Sequence, residues 1–243
     1  MKSLFDLLYP PRCPVCDGVR FSGEPVCCPA CRERLRFIEG PACLCCGRPV
    51  GGEDREYCYD CAKRKRSYSG GLSLGVYEGA LKESVLRFKF SGREEYASFY
   101  AEQFVERYGK QLMRFRADVL LPVPMHKRKE RKRGYNQAAS FAKELSERTG
   151  IPEAEDILLR TRYTAPQKEL NDVGRLQNLL RAFAVREEAF RTQEKDHPVK
   201  RVILVDDIYT TGSTMEACAS LLLGAGAEAV MPVTIAVAGG YAD

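Results

Sequence analysis

The chain reads as an α/β protein with a mostly parallel sheet, preceded by a small metal-binding N-terminal unit. Three observations predict this. Ten of the eleven cysteines lie between Cys13 and Cys61. From about residue 70, short apolar runs alternate with helix-patterned segments, the order of a sheet covered on both faces. One of those runs, "RVILVDD" at 201 to 207, has the unbroken β-branched texture of a strand buried on both sides.

At 243 residues and 44% hydrophobic, the chain can bury a full core. No stretch approaches the roughly 18 consecutive apolar residues a spanning helix needs. The start, "MKSLFDLLYPPRC", lacks a basic region followed by a long apolar run, so the sequence predicts a cytoplasmic protein. The division expected is 1–66 for the cysteine-rich unit and 67–243 for the α/β unit. The net charge of +5 is concentrated in "KRKR" at 63 to 66 and "HKRKERKR" at 126 to 133. The second run reads as a basic loop suited to a polyanion, the first as a solvated face.

The cysteines form four CxxC units: Cys13 and Cys16, Cys28 and Cys31, Cys43 and Cys46, Cys58 and Cys61. Their first members recur every 15 residues, and the flanks reveal a longer period of 30. "CPVCDG" and "CLCCGR" place glycine just after the pair, whereas "CPACRERL" and "CYDCAKRK" run into helix-compatible sequence. A CxxC turn converges two thiolates on one metal, and two such turns complete a tetrahedral site. Disulfides do not suit a reducing compartment, and iron–sulfur clusters use other spacings. Eight ligands therefore predict two structural zinc ions, paired either sequentially or in an interleaved way. Cys27 and Cys45 adjoin ligands as bystanders, and Cys218 reads as a small buried hydrophobe.

Further along, strands are expected at 70 to 77, 117 to 125, near 157 to 160, at 201 to 207 and at 229 to 238. Helices are expected from Glu94 to Phe115, Asn136 to Arg148, within "NDVGRLQNLLRAF", and from Ser213 to Leu223. Ligands of open α/β sheets bind outside the carboxyl ends of the strands. Asp206 and Asp207 project there, followed by Thr210, Thr211, Gly212, Ser213 and Thr214 at a helix start that favours phosphate. Carboxylates repel phosphate, so the pair must face another part of the ligand, such as sugar hydroxyls, or a metal. A P-loop ATPase is excluded because no GxxxxGK[ST] occurs.

"VILVDDIYTTGSTM" resembles the phosphoribosyl-diphosphate motif of type I phosphoribosyltransferases. The resemblance implies that fold for the sheet. It assigns Asp206 and Asp207 to the ribose hydroxyls and Thr210 to Thr214 to the 5′-phosphate, with magnesium riding on the diphosphate. "RGYNQA" resembles the diphosphate loop of these enzymes and assigns Arg133 and Gly134, while "RFKFSGR" resembles an element that assigns Lys89. Catalysis through Asp206, Asp207 and Arg133 would be mainly positioning and neutralisation of the leaving diphosphate.

The whole order runs from four CxxC units through "LRFKFSGR", "LLPVPMHKRKERKRGYNQA" and "QKELNDVGRLQNLLRAF" to "VILVDDIYTTGST". It resembles the ComF family of late-competence and DNA-utilisation proteins. That resemblance implies a double zinc ribbon and a role in uptake of single-stranded DNA, with the ribbons docking a protein of the uptake machinery. It also implies a mobile hood around Gln167, Arg175 and Asn178. Two functions follow: transfer of a phosphoribosyl group to an acceptor, or a non-catalytic DNA-binding module that senses a phosphate ligand. The histidines, His126 and His197, read as structural or exposed rather than as acid–base groups.

Overall fold

Where apolar runs end and caps begin sets the order of elements. The computed structural model describes residues 10–21, 23–52, 54–162, 172–192 and 199–239. Two short helices, Pro29–Arg32 (α1) and Tyr59–Lys63 (α2), lie in the cysteine-rich segment. Strand Leu72–Val76 (β1), helices Gly79–Phe90 (α3) and Tyr96–Phe115 (α4) and strand Val119–Pro122 (β2) follow. Next come helices Lys127–Arg133 (α5) and Gln137–Thr149 (α6), strand Leu158–Arg160 (β3) and helix Asp172–Leu180 (α7). The chain closes through strand Phe183–Val185 (β4), helix Glu187–Thr192 (α8), strand Arg201–Tyr209 (β5), helix Ser213–Gly224 (α9) and strand Ala229–Val237 (β6).

The main sheet has the order β1-β6-β5-β2 and is parallel throughout, as its apolar strands predict. Alternation along β5 divides the core. Ile203 and Val205 join Phe88, Tyr100, Phe104 and Phe141 from α3, α4 and α6, while Val202 and Leu204 join Ala217, Cys218 and Leu222 of α9. Each fully buried aromatic on the first face contributes about 1.5–3 kcal/mol. The two halves of the cysteine repeat complete different faces. Cys13, Val15 and Cys31 belong to the first cluster, and Cys43, Cys46, Cys58 and Cys61 to the second.

Beyond helices α3 and α8, which the sequence reading did not assign, three features differ from it. The short strand near residue 158 forms but leaves the main sheet, pairing antiparallel with β4, for which the sequence carried no assigned strand. The basic run at 126 to 133 is helix α5 rather than a loop: the His126 imidazole accepts the Arg128 N–H, and Gly134 ends the helix at φ 94°. Asp206 and Asp207 also lie inside β5, which continues to Tyr209.

The acidic pair nevertheless lies just past the end of the ladder with β2. β2 stops with Pro122 opposite Val205, and the last bond on that side runs from the Val123 N–H to the Val205 carbonyl at 2.8 Å. The prolines at 122 and 124 lack the N–H groups a longer ladder needs. On the other side the ladder with β6 persists to Tyr209 opposite Val237. The residues from Asp206 onward therefore extend beyond the carboxyl end of β2.

Candidate functional site

The 30-residue repeat folds as two copies of one unit. Cys13 and Cys16 sit in a turn closed by a bridge between Arg12 and Val19, and Cys43 and Cys46 in one closed between Ala42 and Pro49. Cys28 and Cys58 are the cap residues before α1 and α2. Pairing is sequential. The ligand atoms of Cys13, Cys16, Cys28 and Cys31 all lie within 4.8 Å of one another, as do those of Cys43, Cys46, Cys58 and Cys61. A tetrahedral zinc site with Zn–S bonds of about 2.3 Å has sulfur–sulfur edges of about 3.8 Å. Cys13 and Cys28 are separated by 3.8 Å, Cys46 and Cys58 by 3.8 Å, and Cys16 and Cys28 by 4.0 Å. Donor set and dimensions fit two structural zinc ions.

Cys27 and Cys45 stand outside both groups, their thiols donating to the carbonyls of Cys28 and Tyr68. Cys218 is buried in α9, where desolvation pushes its thiol well above the ordinary range. It packs as a hydrophobe.

Past the end of that ladder, Lys89 from the last turn of α3 reaches Asp207, with Nζ 2.8 Å from Oδ1. Both side chains are largely enclosed, 15% and 12% exposed. Asp206, one residue earlier on the pleat, is half-buried as a residue. Desolvation and the neighbouring Asp207 charge push its carboxyl up to about 7. The charges of Lys89 and Arg160 and the Asp207 N–H, which donates to Asp206 Oδ1 at 2.8 Å, oppose that rise.

Beyond Tyr209 the chain turns through Thr210 and Thr211 into Gly212, the cap of α9 at φ 76°. A side chain there is excluded twice over: the backbone is left-handed, and a Cβ would lie 2.1 Å from the Tyr209 hydroxyl. That hydroxyl shares a hydrogen bond of 2.7 Å with Tyr68, and the two rings form the floor under the turn. Thr211 and Ser213 join their hydroxyls at 3.0 Å. The glycine of the motif is thus required by the floor it rests on.

Arg133 ends α5, where it donates to Gln137 at 2.8 Å and stacks on Phe90, the residue after Lys89. Of the expected site residues, Lys89 and Asp207 meet directly, Asp206 adjoins them along β5 and feels the Lys89 charge, Arg133 stacks on Phe90 beside Lys89, and Gly134 caps α5. Two unanticipated cations join them. Lys129 of α5 is held below the usual lysine range by burial and by the charges of Arg160, Arg133 and Lys89. Arg160 comes from β3, whose charged end was the only signal in the sequence. Of the expected hood, Gln167 lies outside the described residues, while Arg175 and Asn178 are on α7. His197 also lies outside the described residues.

Residues 4–62 match the double zinc ribbon domain, and residues 132–240 match the phosphoribosyl transferase domain. Competence protein F of Haemophilus influenzae is 28% identical over 227 residues, covering 90% of this chain and 93% of that protein. Competence protein ComFC of Bacillus subtilis is 30% identical over 208 residues, covering 83% and 80%. DNA utilization protein YhgH of Escherichia coli is 28% identical over 233 residues, covering 92% and 96%. Likeness of that extent takes in the cysteine repeat, the parallel sheet and the acidic strand together, and by it the chain belongs to the ComF family.

Proposed function

We propose that the chain binds phosphoribosyl diphosphate with magnesium at the carboxyl end of β5, as part of the uptake or processing of single-stranded DNA. The observation that carries the reading is the Lys89–Asp207 ion pair beside the phosphate-sized turn at Thr210 to Thr214. An acidic pair next to an anion subsite is costly unless its charge is reduced. Lys89 neutralises Asp207, and desolvation holds Asp206 near half-protonation at neutral pH. Both carboxyls then serve as acceptors for ribose hydroxyls without driving the phosphates away. Thr210, Thr211, Gly212, Ser213 and Thr214 take the 5′-phosphate. Lys89, Arg133 and the backbone at Gly134 face the diphosphate, and magnesium on that group supplies further charge neutralisation.

The setting comes from the relatives, which are named for competence and DNA utilization. Cytoplasmic residence accords with it, and among the described residues no helix is long and apolar enough to cross a membrane. Calorimetry of phosphoribosyl diphosphate with magnesium tests the site. Asp206→Asn with Asp207→Asn should weaken binding at least tenfold, and unchanged affinity would sink the assignment. Diphosphate release across a panel of bases, small acceptors and DNA then separates a transferase from a ligand-sensing module.

The surface of α5 favours a DNA-contacting role alongside the ligand site. Lys127, Arg128, Arg131 and Lys132 of this helix are exposed and Lys129 is half-buried beside them, so most of its cations face solvent. Such a face suits the backbone of a single strand rather than its bases. Neutralising Lys127, Arg128 and Lys129 should reduce the slope of log affinity for single-stranded DNA against log salt by about 2. A slope unaltered by the triple change counts against α5 as the contact.

A further inference from the structure

Two guanidinium groups of the cysteine-rich unit hold the turn after β5 from behind. Arg48, only 7% exposed, donates through Nη1 to Asp60 at 2.8 Å and to the Cys58 sulfur at 3.8 Å. Its Nη2 reaches the Thr210 carbonyl at 3.4 Å. Arg66 donates through Nη2 to the Thr211 carbonyl at 2.7 Å. The next two residues extend the grip. The Ser67 N–H donates to the buried Glu216 carboxylate in the first turn of α9 at 3.1 Å, and Tyr68 bonds Tyr209. The run at 63 to 66, expected as a solvated face, thus contributes a side chain to the site.

In a trans peptide the C=O and N–H point in opposite directions. With the carbonyls of Thr210 and Thr211 drawn toward the arginines, the N–H groups of Thr211 and Gly212 face the other way, away from the cysteine-rich unit. Among the described residues neither enters a backbone hydrogen bond. Donation to a carbonyl also polarises its peptide and makes the N–H on the same unit a stronger donor.

We propose that Arg48 and Arg66 are positioning residues for the phosphate. They do not touch it, but they aim and strengthen the Thr211 and Gly212 N–H groups that do. Because Arg48 also bonds a sulfur of the second cysteine centre, the affinity of the turn depends on that centre being intact. This rests on the phosphate reading of the turn given above and adds to it what sets the turn's affinity.

The test uses the full chain, ribose 5-phosphate as probe, zinc content, and amide hydrogen exchange without ligand. Arg48→Gln and Arg66→Gln should each weaken ribose 5-phosphate about tenfold while β5 keeps its exchange protection. Exchange of the Glu216 amide, which donates to the Gly212 carbonyl at 2.8 Å, should quicken, and Arg66→Lys, which retains a donor, should recover most of the affinity. Among the described residues Arg66 bonds no cysteine sulfur, so its variants should keep both metals and decide the matter even where Arg48→Gln loses one. If both arginine variants bind normally while Asp207→Asn does not, the positioning role is wrong and the ligand site stands. If the native chain binds no ribose 5-phosphate, the ligand reading falls and the phosphate role with it. Unchanged exchange of the Glu216 amide overturns the clamp whatever the ligand does.

Discussion

Lys89 and Asp207 meet at 2.8 Å between the last turn of α3 and the acidic strand β5, an ion pair formed at the mouth of the sheet. The contact joins two elements 118 residues apart in the chain, by their numbers, 207 less 89. It explains how two adjacent carboxylates are tolerated at the end of one strand.

Removing the cation leaves Asp207 enclosed without a partner. Lys89→Met should lower stability by about 1–3 kcal/mol, less than for a fully buried pair because both ends retain some water. Binding of phosphoribosyl diphosphate should weaken more than tenfold. A urea midpoint equal to that of the native chain would show the pair to be energetically idle.

Asp206 should give stability and ligand affinity opposite pH slopes. Its carboxyl is raised to about 7, against about 4 in an unfolded chain. The native state therefore keeps a proton that the unfolded state releases. Its contribution is fully present below about pH 4 and is lost as pH rises through about 7. Ribose hydroxyls are better accepted by the charged form, so affinity should increase over the upper part of the same window. Asp206→Asn should flatten both slopes, as urea unfolding and calorimetry at pH 5, 6, 7 and 8 would reveal.

The metal count distinguishes ligands from bystanders. The native chain should hold two zinc ions, Cys16→Ser or Cys46→Ser should hold fewer, and Cys27→Ala and Cys45→Ala should keep both. Because the two centres complete opposite faces of the core, chelation should lower the melting temperature of the whole chain. Melting of the sheet at its original temperature after metal removal would contradict that shared core.

Gly212→Ala combines a left-handed backbone with a Cβ set 2.1 Å from the Tyr209 hydroxyl. The ring is pinned by Tyr68 and cannot swing aside freely. Stability should fall by about 1–3 kcal/mol, and ribose 5-phosphate binding should fall below detection. Normal binding by this variant would mean that the turn rearranges without loss.

Local patterns were legible where local chemistry decides them. The CxxC turns, the apolar run of β5, the helix from Asn136 and the small residues before α9 were all readable, since each depends on neighbours within a few positions. The helical state of α5 was missed because a run of like charges carries no apolar periodicity; its His126 cap and Gly134 stop define it instead. β4 was missed because its first residue, Phe183, closes the helix-patterned run NDVGRLQNLLRAF.

By itself, the sequence determined the four CxxC turns, the acidic strand and the small-residue turn before α9, because spacing along the chain fixes which side chains lie on one turn or strand. Only the tertiary structure decided the sequential pairing of the cysteines and the union of Lys89 with Asp207. It alone also placed Arg48 and Arg66 on carbonyls 162 and 145 residues away. Contacts at such separations depend on which faces of the sheet the cysteine units cover, and that is settled by how the apolar surfaces of the whole chain pack together.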